Sequence, residues 1–375
     1  MIKIYLMRFI LRLLYILPIK NNRIVLTSYN GRQYSCSPKY IAESINSKKY
    51  QVIYALKKDL KIELPKEINR INYKSIRHFI YLMTAKYIVV NSTGFTCLLP
   101  YRKKQVLINT WHGGGAFKKT GISHFNSKKD IKARKIIGNN TTYFISSSKV
   151  FGEQQSYSMC IDSNKILNIG TPRNDLLFTK NNLKIYKKVR DTYNIAKEYG
   201  IVLYAPTYRD GKVKSLNDYG INIINIEKVL NALEKRFNRK FKFLFRAHHD
   251  MIPETFDSNS INASSYGDIQ ELLYVADVLI TDYSSCMWDF ALMNKPGFLY
   301  TPDLEQYQSV HNFASPIDSW PYCYSNTNEE LEKSIFNFDE NKNKRKINKY
   351  FEEMGSYENG NATKELLKTI FKDDK

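Results

Sequence analysis

Four short segments carry more hydroxyl, imidazole and guanidinium groups than a folded core needs, and each follows an apolar, strand-like run. The first is Asn109-Thr110-Trp111-His112-Gly113-Gly114-Gly115-Ala116-Phe117-Lys118-Lys119-Thr120-Gly121. A histidine at a strand end can move a proton, glycines such as Gly113 let backbone N–H groups approach a ligand, and Lys118 with Lys119 favours an anion. No GK[ST] follows at the Walker spacing, so this is not a P-loop. The second is Tyr204-Ala205-Pro206-Thr207-Tyr208-Arg209-Asp210. Arg209 has the fork geometry for a phosphate and Thr207 a hydroxyl to donate; a turn in which Arg209 pairs with Asp210 is the plainer reading. The third is Phe245-Arg246-Ala247-His248-His249-Asp250. Adjacent histidines diverge and no third ligand lies at metal spacing, so positioning or protonating a phosphate suits one of them better. The fourth, Thr281-Asp282-Tyr283-Ser284-Ser285, opens a helix. Its hydroxyls exceed what an N-cap requires, and a helix start offers free N–H groups and the positive end of a dipole to a phosphate. Asp268 and Glu305 are carboxylates available to recognise a donor's ribose or sugar.

These segments need a scaffold that presents strand ends side by side. Arg23–Ser28, Gln51–Leu56, Tyr87–Asn91, Gln105–Thr110, Tyr143–Ser147 and Lys165–Ile169 read as buried strands, with helical spacing at Pro38–Asn46 and Ser75–Ala85. After a polar, lysine-rich stretch from Asn174 to Tyr199, read as a linker, the alternation resumes. Its strands are Gly200–Ala205, Phe241–Phe245, Val278–Thr281 and Gly297–Tyr300, and its helices Ile226–Arg236, Ile269–Val275 and Ser285–Met293. Strand–helix alternation predicts α/β architecture: two doubly wound, Rossmann-like domains facing a central cleft, with ligands at the carboxyl ends of strands. The expected boundaries are a helix over 1–19, an N-terminal acceptor domain over 20–175, a donor domain over 176–350, and a C-terminal helix over 351–375 that crosses back to the first domain.

The 375 residues carry 57 Lys and Arg against 36 Asp and Glu, a formal charge of +21. Such an excess points to an anionic partner, although a Lys-, Asn- and Ile-rich sequence accounts for part of it. No RRM, KH or helix-turn-helix signature is present, which argues against specific nucleic-acid binding. The five cysteines form no CxxC pair and read as free, mostly buried small hydrophobes in a reducing compartment. Met1 to Leu17 is apolar, but it is interrupted by Lys3, Arg8 and Arg12 and is too short to span a bilayer. It reads as an amphipathic helix lying in an anionic membrane interface, with a buried helix of the first domain as the alternative.

Taken together, WHGGGAFKKTG, GTPRND, LYAPTYRD, FRAHH, ADVLITDYSSCMWDFALMNKP and DLEQY resemble the CDP-glycerol glycerophosphotransferases of teichoic acid and capsule synthesis, most closely the single-module, primase-like type. The resemblance runs in order from Asn109 to Tyr307. It implies a GT-B fold, a CDP-polyol donor bound mainly by the C-terminal domain, and metal-independent transfer that releases CMP, with no cofactor. The acceptor would be a lipid-linked saccharide or a polyol-phosphate polymer, at the cytoplasmic face of the cell membrane. The family's two histidines fall on His112 and His248, with His112 the expected base. Gly113, Thr207, Arg209, Arg246, Asp268, Thr281, Asp282, Ser284 and Ser285 are expected at the donor, and Lys118 and Lys119 at acceptor or phosphate. Two positions depart from the family: Gly114-Gly115 replaces Thr-Pro, and His249 replaces Pro. Ribitol phosphate transfer and nucleotide-sugar transfer are the alternative activities, and a homo-oligomer stays open.

Overall fold

The computed structural model describes residues 1–125, 127–207, 224–247 and 259–371. Arg209 and His248 lie outside these residues. The chain forms two compact units. One comprises Met1–Gly114, Lys119–Asp175 and Gly355–Lys375; the other comprises Gly115–Lys118 and Leu176–Met354.

In the first unit, seven strands form an all-parallel sheet: β1 Lys20–Thr27, β2 Gln51–Leu56, β3 Asn69–Asn72, β4 Ala85–Val90, β5 Val106–Asn109, β6 Tyr143–Ser146 and β7 Ile166–Asn168. Their order is β3-β2-β1-β4-β5-β6-β7. Side chains alternate between its two faces, as the period of a strand requires. Ile24 and Leu26 pack in one core layer with Val52, Tyr54 and Val89, whereas Val25 packs in the other with Ile53, Ala55 and Ile88. Leu366, Ile370 and Phe371 of the C-terminal segment complete the first layer, and Tyr50 donates to the Phe371 carbonyl at 2.9 Å.

Six strands build the second unit's parallel sheet: β8 Gly200–Tyr204, β9 Phe241–Phe245, β10 Ser260–Asn262, β11 Val278–Thr281, β12 Gly297–Tyr300 and β13 Tyr324–Ser325. The order β10-β9-β8-β11-β12-β13 repeats the first unit's winding. Continuous apolar strands follow from burial on both faces, with Ile201 and Leu203 in one layer and Val202 in the other. The stretch from Asn174 to Tyr199, read as a linker, begins at the division between the units and packs on this one. Its helix Leu183–Thr192 buries Val189, Ile195 follows into the same core, and Lys188 meets the Glu271 carboxylate at 2.7 Å.

The N-terminal helix Ile2–Arg12 docks by one side. Leu11 is buried, and Arg8 donates to the carbonyls of Leu98 and Leu99 at 2.6 and 3.0 Å. Arg8 therefore grips the protein, which the sequence did not suggest. Ile2, Leu6, Phe9, Leu13 and Ile16 point outward with exposures of 84, 59, 64, 68 and 87%. Among the described residues no helix is long and apolar enough to cross a membrane. All five cysteines are free; Cys36, Cys97 and Cys286 are buried, Cys160 is half-buried and Cys323 is exposed, in line with the expectation of free, mostly buried thiols.

His78 tests the packing of the first unit. It is fully buried in helix Ile76–Thr84, its Nδ1 accepts the Lys74 N–H at 3.0 Å, and its Nε2 has no partner. Burial lowers its pKa to about 4. The folded value lies below the ordinary 6.5, so the unfolded chain binds more protons between the two, and stability is lost as pH is lowered through that window. The expected loss is about 2 kcal/mol on going from neutral pH to about pH 5. His78→Phe should flatten this part of the profile in urea titrations; an unchanged slope would reject the assignment.

Candidate active site

In each sheet the chain reverses direction between two central strands, β1 and β4 in the first unit and β8 and β11 in the second. The connections leave these strands towards opposite faces, so their carboxyl ends border a crevice where ligands bind.

In the first unit the crevice is lined by the turns after β1, β4 and β5. Asn91, fully buried at the end of β4, accepts the Tyr29 N–H on Oδ1 at 2.8 Å. Its backbone oxygen lies 2.6 Å from Nδ1 of His112. A carbonyl only accepts, so Nδ1 carries the proton and Nε2 is the basic nitrogen of the neutral ring. The imidazole is exposed and stacks on Trp111, with centroids 4.6 Å apart, while Tyr29 meets it edge-on at 5.6 Å. Trp111 holds a left-handed φ of 51°, fixed by its N–H to Asn109 Oδ1 at 2.9 Å and by Thr110 Oγ1 on its carbonyl at 3.2 Å. Gly113 follows, half-buried. Asn91 and Asn109 were not singled out from sequence for a role. Their signal was positional only: an amide closing each of two neighbouring apolar strands.

The second unit ties its crevice with a carboxylate. Asp282 Oδ1 accepts the Thr207 N–H at 2.8 Å, the Thr207 hydroxyl at 2.6 Å and the Tyr283 N–H at 2.5 Å. Thr207 and Asp282 thus meet across β8 and β11, but they meet each other. Thr281 is fully buried and donates to the Ala205 carbonyl at 2.7 Å. Ser284 and Ser285 remain half-buried at the mouth. Ser284 Oγ accepts the Cys286 N–H at 3.3 Å, and the Ser285 side chain makes no capping bond to helix Cys286–Ala291. Arg246, also half-buried, follows β9 and donates to the Tyr266 carbonyl at 2.6 Å. Asp268, a candidate for reading the donor's ribose, is buried, and its Oδ1 caps helix Ile269–Val275 through the Gln270 N–H at 3.1 Å. Burial raises the Cys286 thiol to about 11, which removes it as a nucleophile.

The two lysines separate. Lys119 is exposed and belongs to the first unit, whereas Lys118 sits in the second and donates to the Tyr307 hydroxyl at 2.8 Å. The Tyr307 ring stacks on Tyr283 at 3.8 Å, and the Tyr283 hydroxyl donates to Asp303 at 2.9 Å. Residues from the AFKK, TDYSS and DLEQY segments therefore form one cluster. Lys295, the lysine of the segment ending in Lys-Pro, is also structural. It donates to the Tyr274 and Ala276 carbonyls at 2.8 and 2.7 Å, and burial lowers its pKa to about 8.

The chain is similar to several known proteins. The teichoic acid poly(glycerol phosphate) polymerase of Staphylococcus epidermidis is 27% identical over 95% of this chain and 51% of its own length. The chain spans about half the length of that polymerase and of its Bacillus subtilis counterpart. The teichoic acid glycerol-phosphate primase of Bacillus subtilis is 31% identical over 78% of this chain and 75% of the primase. Among solved structures, the wall teichoic acid polymerase TagF superposes with a TM-score of 0.80 at 26% identity, covering 95% of this chain and 90% of that one. A family model described as CDP-glycerol:poly(glycerophosphate) glycerophosphotransferase matches residues 9–372, and the chain belongs to that family.

Proposed function

We propose that this chain transfers glycerol phosphate from CDP-glycerol to a hydroxyl of a lipid-linked acceptor or a growing surface polymer, releasing CMP. The observation that carries the reading is the bond from His112 Nδ1 to the Asn91 carbonyl, which makes Nε2 the proton acceptor at the first unit's crevice. The acceptor oxygen attacks the glycerol-bearing phosphorus, its proton passes to Nε2, and the bond from that phosphorus to the CMP oxygen breaks. Ser284, Ser285 and Arg246 are the described donors suited to the donor's phosphates, with Arg209 and His248 added on the strength of the sequence. The fold reading that accompanies this is GT-B, one unit serving the acceptor and the other the donor, with no metal ion required.

The same reading places the protein on the cytoplasmic face of the membrane, as a peripheral protein. Its support is the outward row Ile2, Leu6 and Phe9 on the docked helix, continued by exposed Leu13 and Ile16 in the 3₁₀ turn that follows. An anionic leaflet adds attraction for the net positive chain.

Three measurements test the proposal. CMP release from CDP-glycerol with a lipid-linked disaccharide analogue, run in EDTA, should fall about 10²–10⁴-fold in His112→Ala, the usual weight of a general base. Turnover near that of the wild type would remove His112 from the role, and product masses with CDP-ribitol in parallel would reveal a different polyol. Ser284→Ala/Ser285→Ala should weaken CDP-glycerol binding roughly tenfold or more in calorimetry, since a hydrogen bond to a charged group is worth about 1.5–3 kcal/mol; equal affinity would refute the contact. Leu6→Glu/Phe9→Glu/Leu13→Glu keeps the Arg8 anchor and should abolish co-sedimentation with anionic vesicles. Persistent sedimentation would place the membrane contact elsewhere.

A further inference from the structure

The second unit carries a basic cleft that shares no residue with the strand-end loops. Helix Glu340–Met354 buries Ile347, Tyr350 and Met354 against the core. On another face it presents Lys342, Arg345, Lys346 and Lys349, spaced i, i+3, i+4 and i+7. With Lys333 from helix Asn328–Phe336, these line a cleft of about 690 Å³ beside the edge strand β13.

Like charges at this spacing repel one another and weaken a helix, and in the cleft lining cations outnumber carboxylates five to two. Among the described residues, Lys333, Lys342 and Arg345 make no ion pair. Lys349 reaches only the exposed Glu353 at 3.7 Å, and Lys346 donates to the Tyr322 carbonyl at 3.1 Å. The two carboxylates in the lining are turned to backbone. Asp339 accepts the Lys342 N–H and Glu330 the Asn326 N–H, each at 2.7 Å. Five cations thus line a concave wall, and they attract an anion that can enter it.

We propose that this cleft holds a stretch of polyol-phosphate polymer away from the transfer site, an inference that rests on the function proposed above. The stripe runs about 10 Å along the helix at 1.5 Å per residue, a reach suited to a row of phosphodiesters rather than to one phosphate. A bilayer surface is flat and would meet a protruding face, whereas these cations line a hollow. Holding the distal part of an acceptor lowers KM for long acceptors and leaves the chemical step on short ones alone, because the contact is the same in ground and transition states.

The test is fluorescence anisotropy of an end-labelled synthetic glycerol-phosphate oligomer about ten units long, without donor, as a function of salt. Lys342→Gln/Arg345→Gln/Lys346→Gln should bind it at least tenfold more weakly, with a shallower dependence on salt as counterion-releasing contacts are lost. KM for a long acceptor should rise while turnover on a single-phosphate acceptor holds. Lys333→Gln/Lys349→Gln, which leaves those three cations in place, should weaken binding in the same direction. Unchanged oligomer affinity in both variants overturns the proposal. So does a loss confined to anionic vesicles or to an RNA oligomer. Because no donor is present, the binding result decides the cleft's role even where wild-type CMP release fails, the outcome that would overturn the transfer reading instead.

Discussion

The carboxylate of Asp282 joins what the winding of the second sheet leaves apart. After β8 and β11 the chain departs towards opposite faces, so the two loops that border the crevice have no backbone ladder between them. A buried carboxylate accepting from both the backbone and the hydroxyl of Thr207 replaces that ladder. Acceptor bonds to a charged group are the stronger kind, and losing them would strand a charge at a site only 1% exposed. With Asp282 fixed, Tyr283 is fixed, and its stacking on Tyr307 locates Asp303 and Lys118 in turn. Ser284 and Ser285 stand at the mouth because the residues before them are committed inward.

The first unit solves the same problem with an amide. Asn91 holds the turn after β1 through its side chain and His112 through its backbone, so one residue sets both walls of the crevice. Asn109 does comparable work one strand over by holding Trp111 at a φ that a bulky residue avoids, at a cost of order 1–3 kcal/mol. Both amides spend their oxygen on a backbone N–H and leave a buried NH₂ without a protein partner. Buried donors of that kind are rare in cores, and their concentration behind the candidate base fits a site built for the aim of one imidazole rather than for stability.

Sequence reading reached the ten apolar strands and the doubly wound winding because burial on both faces makes such strands continuous in Val, Ile, Leu and Phe. It missed β3, β10 and β13, whose sequences NRIN, SIN and YS hold no apolar run. All three lie at the ends of their sheets or beside them, where one flank needs no core. At the site, residue types near strand ends were legible but their commitments were not. Thr281, Asp268 and Lys118, read in one dimension as ligand contacts, each also hold a partner within the protein. Hydroxyls and carboxylates serve either use, and only a partner distant in sequence decides between them, such as Ala205 for Thr281 or Tyr307 for Lys118.

The departure at Gly114-Gly115 can be traced to the same packing. Gly115 has φ +65°, and a Cβ there would lie 2.5 Å from the ring of Phe117. Proline locks φ near −65°, so the family's usual Thr-Pro cannot occupy this backbone. Phe117 explains why the backbone takes this form. Its ring packs edge-on against Trp320 at 5.0 Å and lies parallel to Tyr350 at 5.9 Å, and its carbonyl accepts the Ala314 N–H at 2.8 Å. Glycine at 115 and phenylalanine at 117 are therefore one structural choice: a loop that buries an aromatic anchor in the second unit needs a left-handed residue just before it. Proline at 115 would set its fixed φ against the anchored ring of Phe117.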